Sequence, residues 1–474
     1  MPPNLPNEVW SKIFSHLLTE HEKHRLEIHH FGDITNARLV CRLWNDLATK
    51  QLFRTLSLGT DVDTALHLFD SWHRFVSSKL VANAARRVAI FSATEEVDGS
   101  CYKGNWPPEW EANGEWRAFE SAIDRICDMP NLDTIEVRFT SCCAGKDARL
   151  LPLDEEEEIV GPELATTRFQ TLRAVLRAIE TRAERPDTTV IRELVLDNLQ
   201  NMPLPSTIAP NLFCDIQRLQ IKILSENYGY MHPDAERPDL IHREELRQFP
   251  SYLQNKLLPS IADQLVKLTI SGEHWGSIPG EFNGKGLSFP KLKTLTLDGY
   301  DILRKDQFQW VLEQQSLTAL HLHNCTIATH CHAQQPEFAL WNVNLHGWSK
   351  VNAYRLGPAF VGWYESSLRW DTVFHSICES LPLLKRFSFD RKPWVVYFRH
   401  DTSPFPGQME LRYLAFSGRW FEPPRLYYHE RSELQESMPR LVDESLAKAE
   451  KPDSQALEKL LQTVEDRRNE RHVL

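Results

Sequence analysis

The chain has no run of about 18 consecutive apolar residues, so its sequence offers no candidate for a membrane-spanning helix. It contains no P-loop, no dinucleotide-binding fingerprint, no His-Glu-x-x-His, no Gly-x-Ser-x-Gly and no Cys-x-x-Cys. The common local signatures of nucleotide, metalloprotease, serine-hydrolase and thiol-redox chemistry are thereby removed. Cysteine is scarce and odd in number, nine scattered through 474 residues, which fits a reduced compartment better than a disulfide framework. Positive charge is in deficit: 54 Lys and Arg face 65 Asp and Glu, for a net charge of −11, and no basic stripe relieves it. Such a chain repels phosphate backbones, so no nucleic-acid partner is expected. The opening Met1-Pro2-Pro3-Asn4-Leu5-Pro6 has neither the basic start nor the apolar core of a secretory signal. Cytoplasmic and/or nuclear residence, with no membrane partner, is the expectation.

What is present has the balance of a globular protein, 42% hydrophobic and 25% charged. The main charge run, Asp154 to Glu158, is acidic and reads as a solvated loop. After Leu5-Pro6, Asn7 is a suitable helix N-cap with Glu8 in the first turn, where the helix dipole favours a carboxylate. Val9, Trp10, Ile13, Phe14 and Leu17 recur at helical spacing. A second helix is expected to start after Gly32, capped by Asp33 or Thr35, carrying Ala37, Leu39, Val40, Leu43, Trp44 and Leu47. So much apolar surface on so small a module exceeds what its own interior can cover, and an outside partner is expected to bury the remainder.

These residues resemble the F-box family: Leu5-Pro6, Val9-Trp10, Ile13-Phe14 and Leu17, then Leu39-Val40-Cys41-Arg42-Leu43-Trp44. The resemblance covers about an eighth of the chain. It implies docking onto the Skp adaptor, and through it onto a cullin scaffold, by Leu5, Pro6, Val9, Trp10, Ile13, Phe14, Leu17, Leu39, Val40, Cys41 and Trp44. The connection Thr19 to Phe31 is longer than usual for the family and rich in histidine (His21, His24, His29, His30); loop-closure entropy tolerates such extensions.

Beyond it, the pattern apolar-x-x-apolar-x-apolar recurs. It is found at Phe53/Leu56/Leu58, weakly at Ala85/Val88/Ile90, and at Leu132/Ile135/Val137, Ile191/Leu194/Leu196 and Ile216/Leu219/Ile221. It returns at Leu265/Leu268/Ile270, Leu292/Leu295/Leu297, Leu317/Leu320/Leu322, Leu384/Phe387/Phe389 and Leu411/Leu414/Phe416. Middle residues are 25 or 27 apart in four cases, within the period of leucine-rich repeats, while Val88 to Ile135 and Leu219 to Leu268 are near double. The copy Leu317 to Ile327 fills every apolar position and resembles a leucine-rich repeat. Between copies, Trp116/Phe119/Ile123/Ile126, Phe169/Leu172/Val175/Leu176/Ile179, Phe308/Val311/Leu312 and Trp370/Val373/Phe374/Ile377/Leu381 form helical stripes. Pro130, Pro290 and Pro382 then stop the helix before a strand. The expected fold is α/β: a small N-terminal helical module (1–52), an irregular leucine-rich-repeat solenoid with a parallel sheet (53–430), and a polar, partly helical tail (431–474). An ordinary doubly wound sheet would leave the short period unexplained.

On such strands the residues between the buried positions face the open sheet. Asp197, Thr296, Asp298, His321, His323, Ser388 and Asp390 are therefore the candidate face for a target protein. An insertion near 328–369 carries Phe338, Trp341, Trp348, Tyr354, Phe360, Trp363 and Tyr364, residues that serve either cores or interfaces. His321, His323, Cys325, His330, Cys331 and His332 crowd one stretch, but Cys325 occupies a core position of the repeat, so no metal site is assigned. No catalytic residue and no cofactor is nominated. In the tail, Leu457, Leu460, Leu461 and Val464 predict a short amphipathic helix after Pro452. The reading is a substrate-recognition adaptor of a Skp–cullin–F-box ubiquitin ligase, not an enzyme. The alternative is a non-ligase repeat scaffold with a vestigial docking module.

Overall fold

A computed structural model describes residues 5–16, 32–59, 65–94, 101–102, 106–144, 160–208, 213–225, 244–278, 280–332, 343–351, 362–390, 409, 412–416, 421–422 and 438–469. The chain divides into two compact units, Met1–Asn198 with Pro205–Asp215, and Leu199–Leu204 with Ile216–Leu474.

The first unit opens with three helices, α1 (Asn7–His16), α2 (Gly32–Ala37) and α3 (Arg42–Leu52). The single helix expected after Gly32 is thus broken in two. The cause is geometric. Ile34 and Ala48 join one apolar cluster around Phe14, yet on a straight helix they would lie about 21 Å apart. The chain turns between them: Leu39 N–H bonds to Asn36 O, Val40 N–H bonds to Ala37 O, and Cys41 is extended (φ −161°, ψ 169°) before α3 begins.

Parallel strands follow, Thr55–Leu58, Arg87–Phe91, Thr134–Arg138 and Glu193–Gln200. Their registers align Leu56, Val88, Ile135 and Leu194, and likewise Leu58, Ile90, Val137 and Leu196. All eight are buried. The apolar triplets of the sequence are therefore stacked motif on motif. The helix Ala165–Ala183 buries Leu172, Val175 and Leu176, and two of its arginines are fully internal. Arg168 pairs with Glu163 at 3.1 Å and donates to Thr140 O and Asn198 O. Arg182 donates to the carbonyls of Ile126, Met129, Pro130 and Leu132, tying the segment around Pro130 to the helix.

In the second unit the parallel strands are Arg218–Leu224, Lys267–Trp275, Thr294–Ile302, Ala319–His323 and Arg386–Asp390. Leu219, Leu268, Leu295, Leu320 and Phe387 lie in one row. Strands on either side of each doubled spacing pair directly, so both intervals are long connections rather than a missing strand. Helices Pro108–Asn113 and Arg117–Asp124 lie in the first, and Glu244–Tyr252 lies in the second.

Two expectations are corrected here. The Leu411/Leu414/Phe416 copy does not extend the row: Leu414 pairs with Ala328, on the strand Thr326–His332. That strand also pairs antiparallel with Trp363–Glu365, so the aromatic insertion begins and ends as sheet. Side-chain anchoring accounts for the detour. Trp370 Nε1 donates to Arg412 O, Trp370 N–H donates to the Tyr413 hydroxyl, and the Arg412 guanidinium lies 4.0 Å from the Phe389 ring centroid.

The C-terminal helix is also longer than expected, Met438–Asn469, and runs through Pro452. Interior proline costs about 3 kcal/mol, and tertiary contact offsets it. Ala449, Asp453, Ala456, Leu460 and Val464 are buried and Leu457 is half-buried, so of the four expected apolar positions only Leu461 is left exposed. Asp453 accepts from Asp371 N–H at 2.8 Å and from the Tyr413 hydroxyl at 2.5 Å, and Arg467 donates to Leu381 O and Cys378 O. Burial pushes the Asp453 carboxyl up to about 6. Among the described residues no helix is long and apolar enough to cross a membrane.

Candidate functional site

The N-terminal helices satisfy their aromatic residues internally. Trp10 and Trp44 have ring centroids 4.9 Å apart, and Phe14 meets Trp44 edge-on at 5.4 Å. Phe14 is 1% exposed, with Ile34, Ala37 and Ala48 around it. Gln51 Nε2 donates to Ser11 Oγ at 2.7 Å, latching α3 to α1. What this core leaves outside is also apolar. Leu39 is 83% exposed and Val40 62%, at the turn between α2 and α3, and Val9, Ile13 and Leu43 are exposed on α1 and α3. Scattered exposed leucines are normal on a protein surface; five large apolar residues on three short helices of 10, 6 and 11 residues and the turn between two of them are not.

A polar face occupies the second unit. In register across three strands lie Thr296, His321 and Ser388, and beside them Asp298, His323 and Asp390. His321 Nδ1 is 2.7 Å from Ser388 Oγ, His323 Nδ1 is 2.5 Å from Asp390 Oδ1, and Asn324 Nδ2 donates to Asp298 Oδ1 at 2.6 Å. The two imidazoles stack 5.9 Å apart. Partial burial lowers the His321 pKa, aided by the charges of His323, Arg386 and Lys267 and opposed by Asp390. The shift favours the neutral imidazole, and the face offers hydroxyls, imidazoles and carboxylates in fixed rows. Asp197 lies on a strand of the first unit, opposite Arg138 in register.

The remaining members of the histidine–cysteine stretch point elsewhere. Cys325 is buried, with its Sγ donating to Leu297 O, and burial raises its thiol pKa. His330 is buried beside Thr329, and burial, with Arg369, lowers it to about 4. Cys331 packs with Phe416. Among the insertion's aromatics, Trp363 is buried and Trp348 Nε1 donates to Leu303 O. Tyr364 is half-buried, and Phe338, Trp341, Tyr354 and Phe360 lie outside the described residues.

The F-box-like family model matches residues 3–59, the segment that holds the aromatic-cored helices and their apolar exterior. Residues 3–59 are an F-box-like domain. No curated protein matches the chain. F-box domains generally bind the Skp adaptor within ubiquitin-ligase complexes.

The F-box-like domain sorts the eleven residues expected to dock. Val9, Ile13, Leu39, Val40 and Cys41 are exposed, Pro6 is exposed at the start of α1, and Leu5 is half-buried. Phe14 is internal and supports the outer face rather than lining it, because α2 and α3 close over its ring. Trp10 and Trp44 are half-buried in the same stack. Leu17, the His-rich connection and Asp154 to Glu158 lie outside the described residues. Leu43, exposed on α3, was not among the eleven, although its place between Arg42 and Trp44 in the motif was legible.

Proposed function

We propose that the chain is the substrate-recognition adaptor of a Skp–cullin–F-box ubiquitin ligase. The F-box-like domain holds the Skp adaptor, which hangs the chain on the cullin. The parallel-sheet body, read as an irregular leucine-rich-repeat solenoid, holds a target protein through Thr296, Asp298, His321, His323, Ser388 and Asp390. Ubiquitin transfer is the work of other subunits, in cytoplasm or nucleus. This chain contributes proximity, since tethering raises the effective concentration of acceptor lysines without chemistry of its own.

The observation that carries the reading is the division of labour in the first helices: aromatics closed inward, Leu39, Val40, Val9, Ile13 and Leu43 left outside. Burying a side chain of that size against a partner contributes about 1.5–3 kcal/mol. The test is size-exclusion chromatography of the full chain with purified Skp adaptor and cullin. One stoichiometric peak is expected. Separate elution of a folded chain would reject the ligase reading in favour of a repeat scaffold whose F-box-like domain is vestigial.

A further inference from the structure

We infer that the open edge of the parallel sheet in the second unit takes an extended polypeptide segment as its next strand. The segment carries an acidic residue four positions before a basic one. The inference rests on the adaptor reading for one point only, that the segment belongs to the target protein. The row of strands ends at Arg386–Asp390, which pairs with Ala319–His323 on one side and, among the described residues, with no strand on the other. Asn324 N–H donates to Asp390 O at 3.0 Å, and Arg386 N–H donates to Thr318 O at 3.1 Å, so these two residues turn their backbone groups to the inner neighbour. The N–H and C=O groups of Phe387 and Phe389 alternate with them and point outward. Donors and acceptors at that spacing are matched by another extended backbone, and such an edge is a template for pairing.

The core beneath the edge is unfinished. Leu320 and Leu322 on the inner neighbour are fully buried, whereas Phe387 and Phe389, their partners in register, are half-buried. The helical layer, by contrast, runs one element further. Helix Trp370–Ser380 leads into the last strand, and the C-terminal helix Met438–Asn469 packs along it. Thr463 and Arg467 meet Cys378 and Leu381, which fixes the flank turned toward that helix. Leu457 and Leu461 lie about 120° round the C-terminal helix from these two, on the flank that continues past the last strand. Leu461 is 44% exposed. An added strand would direct every second side chain toward Phe387, Phe389 and these leucines, closing the core.

Its other side chains would stand on the polar face, beside Arg386, Ser388 and Asp390. Arg386 is exposed and forms no ion pair among the described residues. Asp390 keeps 58% of its side chain exposed although it is bonded to His323 Nδ1. A partner carboxylate suits the first, a partner ammonium the second, and a hydroxyl suits Ser388 between them. Because the strands of this row run parallel, the acidic residue comes first.

The test is fluorescence polarisation of the full chain with an acetylated, carboxyl-terminally labelled peptide, Val-Glu-Val-Thr-Val-Lys-Val. Saturable binding is expected. N-methylation of its Thr and Lys amides, which face the edge in parallel register, is expected to abolish binding. N-methylation of the two Val amides on either side of Thr should leave it unchanged. Exchanging Glu and Lys is expected to weaken binding about tenfold. Arg386→Glu, at an exposed position, should lower affinity for this peptide and restore it for one with Lys in place of Glu. No saturable binding, or equal loss from methylating either set of amides, would overturn the inference. Slow exchange of the Phe387 and Phe389 amides in the free chain would also overturn it, since a second copy or another segment of this chain would then hold the edge. The Skp adaptor takes no part in the assay. A chain that captures the adaptor but no peptide therefore rejects the edge alone, and one that binds peptide but no adaptor rejects the ligase reading alone.

Discussion

Aspartate at both Leu39 and Val40 is expected to abolish capture of the purified Skp adaptor while leaving the chain's thermal unfolding unchanged. The two side chains are 83% and 62% exposed, at a turn outside the apolar cluster of the domain. They support no internal packing whose loss would unfold the helices. In a complex each would be buried, and replacing both by carboxylates forfeits their transfer energy and buries unpaired charge. A loss of about 3–5 kcal/mol, more than a hundredfold in affinity, follows. Phe14→Ala should look different. It removes the centre of the stack formed with Trp10 and Trp44, so adaptor capture falls together with helical signal. If the double aspartate variant captured adaptor as the wild type does, the exposed turn would not be the docking surface.

Arg182→Met is expected to destabilise the first unit by about 3–4 kcal/mol, read as a lower urea midpoint with an unchanged slope. The guanidinium is 1% exposed and donates to Met129 O at 2.6 Å, Leu132 O at 3.0 Å, Pro130 O at 3.1 Å and both oxygens of Thr189. Burial lowers its pKa to about 10, so it stays charged at neutral pH. Methionine matches much of the volume but leaves these acceptors bare in the interior. The helix-to-strand passage through Pro130, one of the signals by which the repeat was legible, is therefore held by a residue that no apolar pattern marks. A midpoint within about 1 kcal/mol of wild type would show that the carbonyls find other donors.

How far the sequence reaches depends on whether a signal is local. The apolar triplets were legible because a strand buried on one face repeats every second residue, and ten triplets correspond to ten strands. Nine of them stand in rows such as Leu219, Leu268, Leu295, Leu320 and Phe387. The tenth, at Leu414, joins a different strand because Trp370 and Arg412 hold it there, contacts separated by 42 residues in sequence. The break between α2 and α3 was missed for a similar reason. Helical periodicity runs on through Leu39 and Val40, and only the need to bring both Ile34 and Ala48 to Phe14 bends the chain. Pro452 has the look of a helix start in the sequence yet lies inside a helix, since propensity gives way to packing along Ala449, Asp453, Ala456, Leu460 and Val464. Of the polar face, the strand alternation found His321, His323, Ser388 and Asp390; that they bond in pairs across the sheet depends on register, which a single strand does not encode.

Backbone hydrogen exchange of the full chain, with and without saturating purified Skp adaptor, tests the central claim most directly. Slowed exchange confined to residues 7–16 and 38–47, with the strands of both units unchanged, is the outcome this account requires. Unaltered exchange in the F-box-like domain, or slowing located only on the parallel sheets, would contradict it.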